Sequence, residues 1–195
     1  MKKTIAVIGD AHIEHNSEEY KIALELGKAL VDNGYRVQSG GKGGVMEAVF
    51  AGARTSGKYT DGDTIAIVPS FDRDSANAYA DIVIPTGLDI MRNAIVVNAS
   101  AVVAIGGGAG TLAELAFAWA LYKLIIAYDN VDGWSAKLAG TRIDDRIRYD
   151  NITDDRIYAV KTADETIEIL KDNIDKYIKC HHGIRQEEIR CQNTI

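Results

Sequence analysis

Apolar positions along the chain follow two alternating rhythms. Short, β-branched runs recur at residues 4–8, 35–38, 63–68, 81–84, 101–105, 124–128 and 157–160. They read as strands, some of them apolar enough to be buried on both faces. Between them, apolar residues recur at the spacing of one helix face. Ile22, Leu26, Ala29 and Leu30 mark a helix with Ser17 as its N-cap and Gly34 as its stop. A second runs over residues 45–55, and a third carries Met91, Arg92, Asn93 and Asn98. Leu112, Leu115, Ala116 and Trp119 mark a fourth, and Ile167, Leu170, Ile174, Tyr177 and Ile178 the last. Residues 133–147 read as a helical or irregular excursion packed through Trp134.

Strand and helix alternate, which predicts an α/β, Rossmann-like doubly wound fold. The expectation is a mostly parallel sheet of six or seven strands with helices on both faces. With no internal repeat or linker, residues 1–178 form a single domain, and 179–195 a C-terminal tail. In such sheets ligands gather at the carboxyl ends of the strands. The loops after Ile8, Gln38, Pro85 and Ile105 lie there, so Gly9 and two glycine-rich turns are expected to meet in one crevice, with Arg92 and Asn93 at its rim.

The more informative turn is Gly106-Gly107-Gly108-Ala109-Gly110-Thr111, set between an apolar strand and a helix. Glycines let the backbone turn sharply and approach a ligand. A helix start offers free N–H groups and the positive end of a dipole to an anion such as phosphate. Glu114, one turn in, faces the same ligand. A plainer alternative makes Thr111 an N-cap and Glu114 its capping-box partner. That alternative leaves four glycines in five positions without a reason.

Composition narrows the class. A chain of 195 residues, 47% hydrophobic and 26% charged, has enough apolar content for one packed core. A net charge of −6 disfavours a nonspecific grip on nucleic acid. No membrane partner is expected: Asn93, Asn98, Ser100 and the glycines interrupt the uncharged stretch between Arg92 and Glu114, and Asp10 interrupts the apolar start. The reading is a cytoplasmic protein. Cys180 and Cys191, both in the tail, do not make a disulfide framework, and with His181 and His182 they lack a recognised metal-ligand spacing. His12 and His15 read as surface residues beside the crevice. The dinucleotide fingerprint G-x-G-x-x-G fails, because its last position falls on Thr111; Gly52 to Lys58 imitates a P-loop, but Tyr59 stands where Ser or Thr is needed.

Gly106-Gly107-Gly108-Ala109-Gly110-Thr111-Leu112-Ala113-Glu114 resembles the P-G-G-x-G-T-x-x-E signature of the Lonely Guy proteins. Those are cytokinin-activating phosphoribohydrolases within the wider SLOG superfamily of Rossmann-like nucleotide binders. Ser39-Gly40-Gly41-Lys42-Gly43-Gly44-Val45-Met46 resembles their G-G-G-x-x-G-x-M. Gly9, with Tyr20, Ala23, Leu26 and Gly27, resembles their opening strand and first helix, and Met91-Arg92-Asn93 the segment holding their active-site arginine. The resemblance spans roughly residues 4–128. Gly106 replaces a proline, Ala113 a glutamate and Asn93 a lysine. These departures resemble a sister branch that includes the molybdenum-cofactor carrier proteins and relatives of DNA-processing protein A.

The resemblance implies hydrolysis of the N-glycosidic bond of a nucleoside 5′-monophosphate. Glu114 would stabilise positive charge on the ribose and orient water, and Arg92 would pair with phosphate or ribose oxygens. Gly107, Gly108, Ala109, Gly110 and Thr111 would hold the 5′-phosphate, and Gly9, Ser39, Gly40, Gly41, Gly44, Met46 and Asn93 would complete the nucleotide site. This chemistry requires no metal and no organic cofactor. The alternative is a non-catalytic carrier of a nucleotide or of molybdopterin. Single-stranded DNA binding is disfavoured by the charge and by the lack of an aromatic, basic face. The resemblance also implies a homo-oligomer, dimer or larger, with candidate contacts near Met91 and Trp119.

Overall fold

Each β-branched run becomes a strand in the computed structural model, which describes residues 1–182. The strands are β1 (Thr4–Gly9), β2 (Arg36–Ser39), β3 (Thr64–Val68), β4 (Ile82–Pro85), β5 (Ala101–Ile105), β6 (Leu124–Tyr128) and β7 (Tyr158–Val160). They form one sheet in the order β4-β3-β2-β1-β5-β6-β7, with every pair parallel. Pro85 is accommodated because β4 is an edge strand. The helices are α1 (Glu18–Asp32), α2 (Val45–Arg54), α3 (Asn93–Val96), α4 (Ala109–Ala120), α5 (Trp134–Leu138) and α6 (Ala163–Asn173). The fold is therefore the expected α/β, Rossmann-like arrangement. The expected tail continues past the described residues, and Cys191 lies outside them.

Period-two alternation divides the strands between two apolar layers. Ile5, Val7, Val103 and Ile126 face α1, α2 and α6. Ala6, Ile8, Val102 and Ile125 face α3 and α4. On the first face α1 and α2 touch backbone to backbone: a Cβ at Gly27 would overlap the Val49 carbonyl, and one at Gly52 the Leu24 carbonyl. That contact fixes where α2 begins, and with it Met46. At the start of α1, Ser17 Oγ accepts from Tyr20 N at 3.2 Å, the predicted cap. Among the described residues, no helix is long and apolar enough to cross a membrane.

Three helix expectations need correction. The helix through Met91 and Asn98 is a 3-10 turn at Asp89–Arg92 followed by the single turn of α3, and Asn98 lies beyond it. The chain has little room to continue, because Ser100 N already bonds Thr4 O at the start of the β5 pairing. On α4, Ala116 is exposed, while Thr111, Leu115, Ala118 and Trp119 are buried. This helix is apolar nearly all round, so hydrophobic spacing does not fix its phase. At the end of the chain Ile174 and Tyr177 are buried beyond the last turn of α6, but Ile178 is exposed because the helix has stopped.

The order β2-β1-β5 is the switch point of the sheet. From β1 the chain proceeds outward through β2, β3 and β4, then returns to place β5 on the other side of β1. The loops leaving β1 and β5 thus diverge and open a crevice at their carboxyl ends.

Candidate crevice at the switch point

β1 and β5 run so close at this end that a Cβ at Gly9 would overlap the Ile105 carbonyl. Past Gly9 the chain turns, with Asp10 O accepting from Val45 N at 2.9 Å and Asp10 Oδ1 from His12 N at 2.9 Å. Past Ile105, Gly106 and Gly107 take φ of +62° and +92°, values open to glycine but strained for other residues. The start of α5 holds this turn from behind. Gly106 N donates to Ser135 Oγ at 2.8 Å, Ser135 N to Gly106 O at 3.1 Å, and Trp134 N to Gly107 O at 2.9 Å.

Gly108 is the N-cap of α4 and has no side chain to satisfy the first turn. Leu112 N makes the first bond back, to Gly108 O at 3.0 Å. The N–H groups of Ala109, Gly110 and Thr111 precede it, and no described residue accepts from them. The capping box is therefore absent: Thr111 and Glu114 both lie inside the helix. Both are buried, Thr111 over Gly107 and Glu114 toward the crevice.

Arg92 ends the 3-10 turn and points inward. Its Nη1 donates to Ile67 O at 2.7 Å, and its Nε is buried without a partner among the described residues. It makes no ion pair with Asp89 or Glu114 within 4.0 Å. Space for the guanidinium exists because residue 40 is glycine; a Cβ there would overlap it. Burial lowers the pKa of Arg92, against the opposing charges of Glu114 and Asp89. Burial raises that of Glu114 to about 7, with Arg92 pulling the other way. The Glu114 carboxyl makes no hydrogen bond to a described residue. Asn93 Nδ2 lies 3.5 Å from Gly110 O, at the limit of a hydrogen bond.

These groups line one crevice of about 280 Å³. Of the residues named from the sequence, Gly9, Met46, Arg92, Asn93, Gly108, Gly110, Thr111 and Glu114 line it. Gly107 is buried inside the turn, and Ala109 is exposed beside it. Ser39, Gly40, Gly41 and Gly44 stand behind the wall. Ser39 Oγ donates to Val7 O at 2.6 Å, Gly40 abuts Arg92, Gly41 abuts Ala66, and Gly44 abuts the Asp10 carbonyl. His12 and His15 are exposed outside the lining, with His15 near Glu47 at 3.5 Å. Asp10, Ala11, Pro69, Asp89 and Ile90 also line the crevice and were not singled out from the sequence as ligand contacts. Asp10 directly follows the Gly9 turn, and Asp89 and Ile90 directly precede the Met91-Arg92 segment, so adjacency to motifs already noted is the signal that points to them.

A model of the family described as SLOG cluster4 matches residues 2–167. The X-ray structure of TM1055 superposes with a TM-score of 0.74 at 34% identity, covering 88% of this chain and 99% of that one. The molybdenum cofactor binding protein of the phototrophic bacterium Rippkaea orientalis gives 0.73 at 30% identity, covering 89% and 98%. The molybdenum cofactor carrier protein of Chlamydomonas reinhardtii gives 0.69 at 25% identity, covering 88% and 98%.

Proposed function

The chain belongs to the SLOG cluster4 family, and on that premise we propose that its crevice binds a phosphorylated heterocyclic small molecule and releases it unchanged, with the molybdenum cofactor as the best-matched cargo. The observation that carries this reading is the start of α4, where three N–H groups have no acceptor among the described residues, in a crevice that the Arg92 side chain also lines. A phosphate supplies the acceptors that the helix start lacks, and the Arg92 guanidinium offers it an opposing charge. Glu114 supports binding without turnover. Burial raises its pKa to about 7, and a phosphate bound nearby would raise it further, toward a neutral acid able to donate a hydrogen bond. A neutral acid is a poor stabiliser of a cationic sugar. The likeness to the molybdenum cofactor binding protein of Rippkaea orientalis supports the same reading. The start of α4 and Arg92 would hold the phosphate-bearing end of that cargo. None of its lining residues is a cysteine, so it offers no thiolate to a metal.

One observation favours a second reading. An unbonded carboxyl with a pKa near 7 is tuned for general acid–base work at neutral pH. In this reading the ionised Glu114 orients water toward C1′ of a nucleoside 5′-monophosphate and stabilises the positive ribose. The C1′–N bond breaks, water supplies the new C1′–O bond, and the proton lost from water balances the one gained by the departing base. Arg92 and the start of α4 hold the 5′-phosphate, and Asn93 a ribose hydroxyl. Incubation with AMP and a nucleotide panel, followed by chromatography, separates the two. Binding without free base supports the carrier; base release that vanishes in Glu114→Ala supports the hydrolase; neither binding nor release overturns both.

Assembly into a dimer or larger belongs to the same proposal. Leu88, Met91, Ile95 and Phe117 are exposed apolar side chains on the segments around the crevice and on α4, a surface suited to a second copy. Trp119, 1% exposed, belongs to the core instead. Light scattering at several concentrations tests this, and a monomer throughout would refute it.

A further inference from the structure

Phe71 leaves 85% of its surface exposed, in the loop that follows β3. An apolar ring so exposed contributes little to the core. Its surroundings are nevertheless built. Ser70 Oγ and Ser75 Oγ are hydrogen-bonded at 2.8 Å, and Asp72 Oδ1 accepts from Asp74 N at 2.9 Å. Gly87 N donates to Ser70 O at 3.2 Å and Asp89 N to Pro69 O at 3.0 Å, which ties this loop to the segment leading into Arg92. Pro69 and Asp89 line the crevice. Phe71 and Gly87 each lie two residues from one of these lining residues, on the loops that flank the crevice and outside its lining. Gly87 has φ +64°, and a Cβ there would overlap the Phe71 ring, so the ring rests against bare backbone.

Size gives these loops a role. At about 280 Å³ the crevice falls just below the usual range of small-molecule pockets, roughly 300–1,000 Å³. A ligand larger than this, anchored by its phosphate at α4, would extend past the mouth. Ile90, 72% exposed, already lines that mouth. We propose that Phe71 is the stacking platform for the flat heteroaromatic ring of the crevice ligand, a nucleobase or a pterin. This rests on the phosphate-binding reading above and adds the part of the ligand that reading leaves unplaced. Aromatic stacking tolerates different rings because each presents a π-face, so Phe71 sets affinity for ring-bearing ligands as a class.

Calorimetric titration of the full chain with ribose 5-phosphate, AMP and a pterin monophosphate tests it. Phe71→Ala is expected to weaken AMP or the pterin phosphate about tenfold, the loss for one stacked ring, and to leave ribose 5-phosphate within about twofold. Phe71→Tyr is expected to restore binding. The ring ligand with the larger loss identifies the ring. No loss for either ring ligand, or an equal loss for ribose 5-phosphate, overturns the assignment. Wild-type protein that binds none of the three overturns the phosphate site itself and this inference with it, a failure visible before any substitution is made.

Discussion

Replacing Glu114 by Gln is expected to stabilise the protein, by an amount that grows with pH. Burial raises the Glu114 pKa from 4.5 to about 7, a rise that corresponds to about 3 kcal/mol. Below about pH 4.5 the group is neutral in both folded and unfolded chains, and no penalty exists. Between the two values the unfolded chain ionises while the folded one holds its proton, so folding loses about 1.4 kcal/mol per pH unit. Above about pH 7 both states are ionised and the penalty stays at its full size. Glutamine cannot ionise and escapes it. Urea denaturation of both proteins at about pH 4.2, 6 and 8.5, away from the sequence pI of about 5.2, reads the difference directly. The expected advantage of Glu114→Gln is near zero at the lowest pH and about 3 kcal/mol at the highest. A difference that does not change with pH, or a wild type that is the more stable at high pH, would refute the reasoning, since either means that the carboxyl ionises without cost.

The remaining expectations follow from the same geometry. AMP binding near pH 7.5 should take up protons, because the phosphate raises the Glu114 pKa further; titrations in buffers of different ionisation enthalpy measure the uptake, and release instead of uptake would contradict it. Gly40→Ala places a methyl where the Arg92 guanidinium lies, so affinity for ribose 5-phosphate should fall about tenfold, the worth of one charge-assisted hydrogen bond, with little change in stability. Asp155→Ala leaves Arg148 buried and unpaired, since Arg148 Nε donates to Asp155 Oδ2 at 2.8 Å and both are nearly fully buried; a loss of about 3–5 kcal/mol in denaturation is expected, and a loss near zero would show the pair to be solvated.

Much of the sheet was legible because its signal is local. The runs ending at Ile8, Ile105 and Tyr128 are β-branched, uninterrupted and bounded by turns, and each becomes a buried strand. The glycine turn before α4 was legible as well, because strand, glycines and helix follow one another directly. The start of α4 was less so. Thr-x-x-Glu has the spacing of a capping box, but the same spacing sits two residues inside the helix when Gly108 is the cap. Which of the two applies is decided by the bonds from Trp134 and Ser135 to Gly106 and Gly107, contacts distant in sequence. The inward course of Arg92 depends in the same way on the absent side chain of Gly40 and on the Ile67 carbonyl, and no periodicity encodes that meeting. The glycines of residues 39–44 announce close approach, but not to what. In the fold they approach Arg92, Ala66 and the Asp10 backbone.

The most direct measurement is the affinity of ribose 5-phosphate for wild type and for Arg92→Ala at pH 6.5, with circular dichroism confirming that both are folded. If the crevice holds a phosphate between Arg92 and the start of α4, wild type binds and the variant binds about 10- to 100-fold more weakly, the loss of a charge-assisted hydrogen bond. Equal affinity in the two proteins would contradict the account.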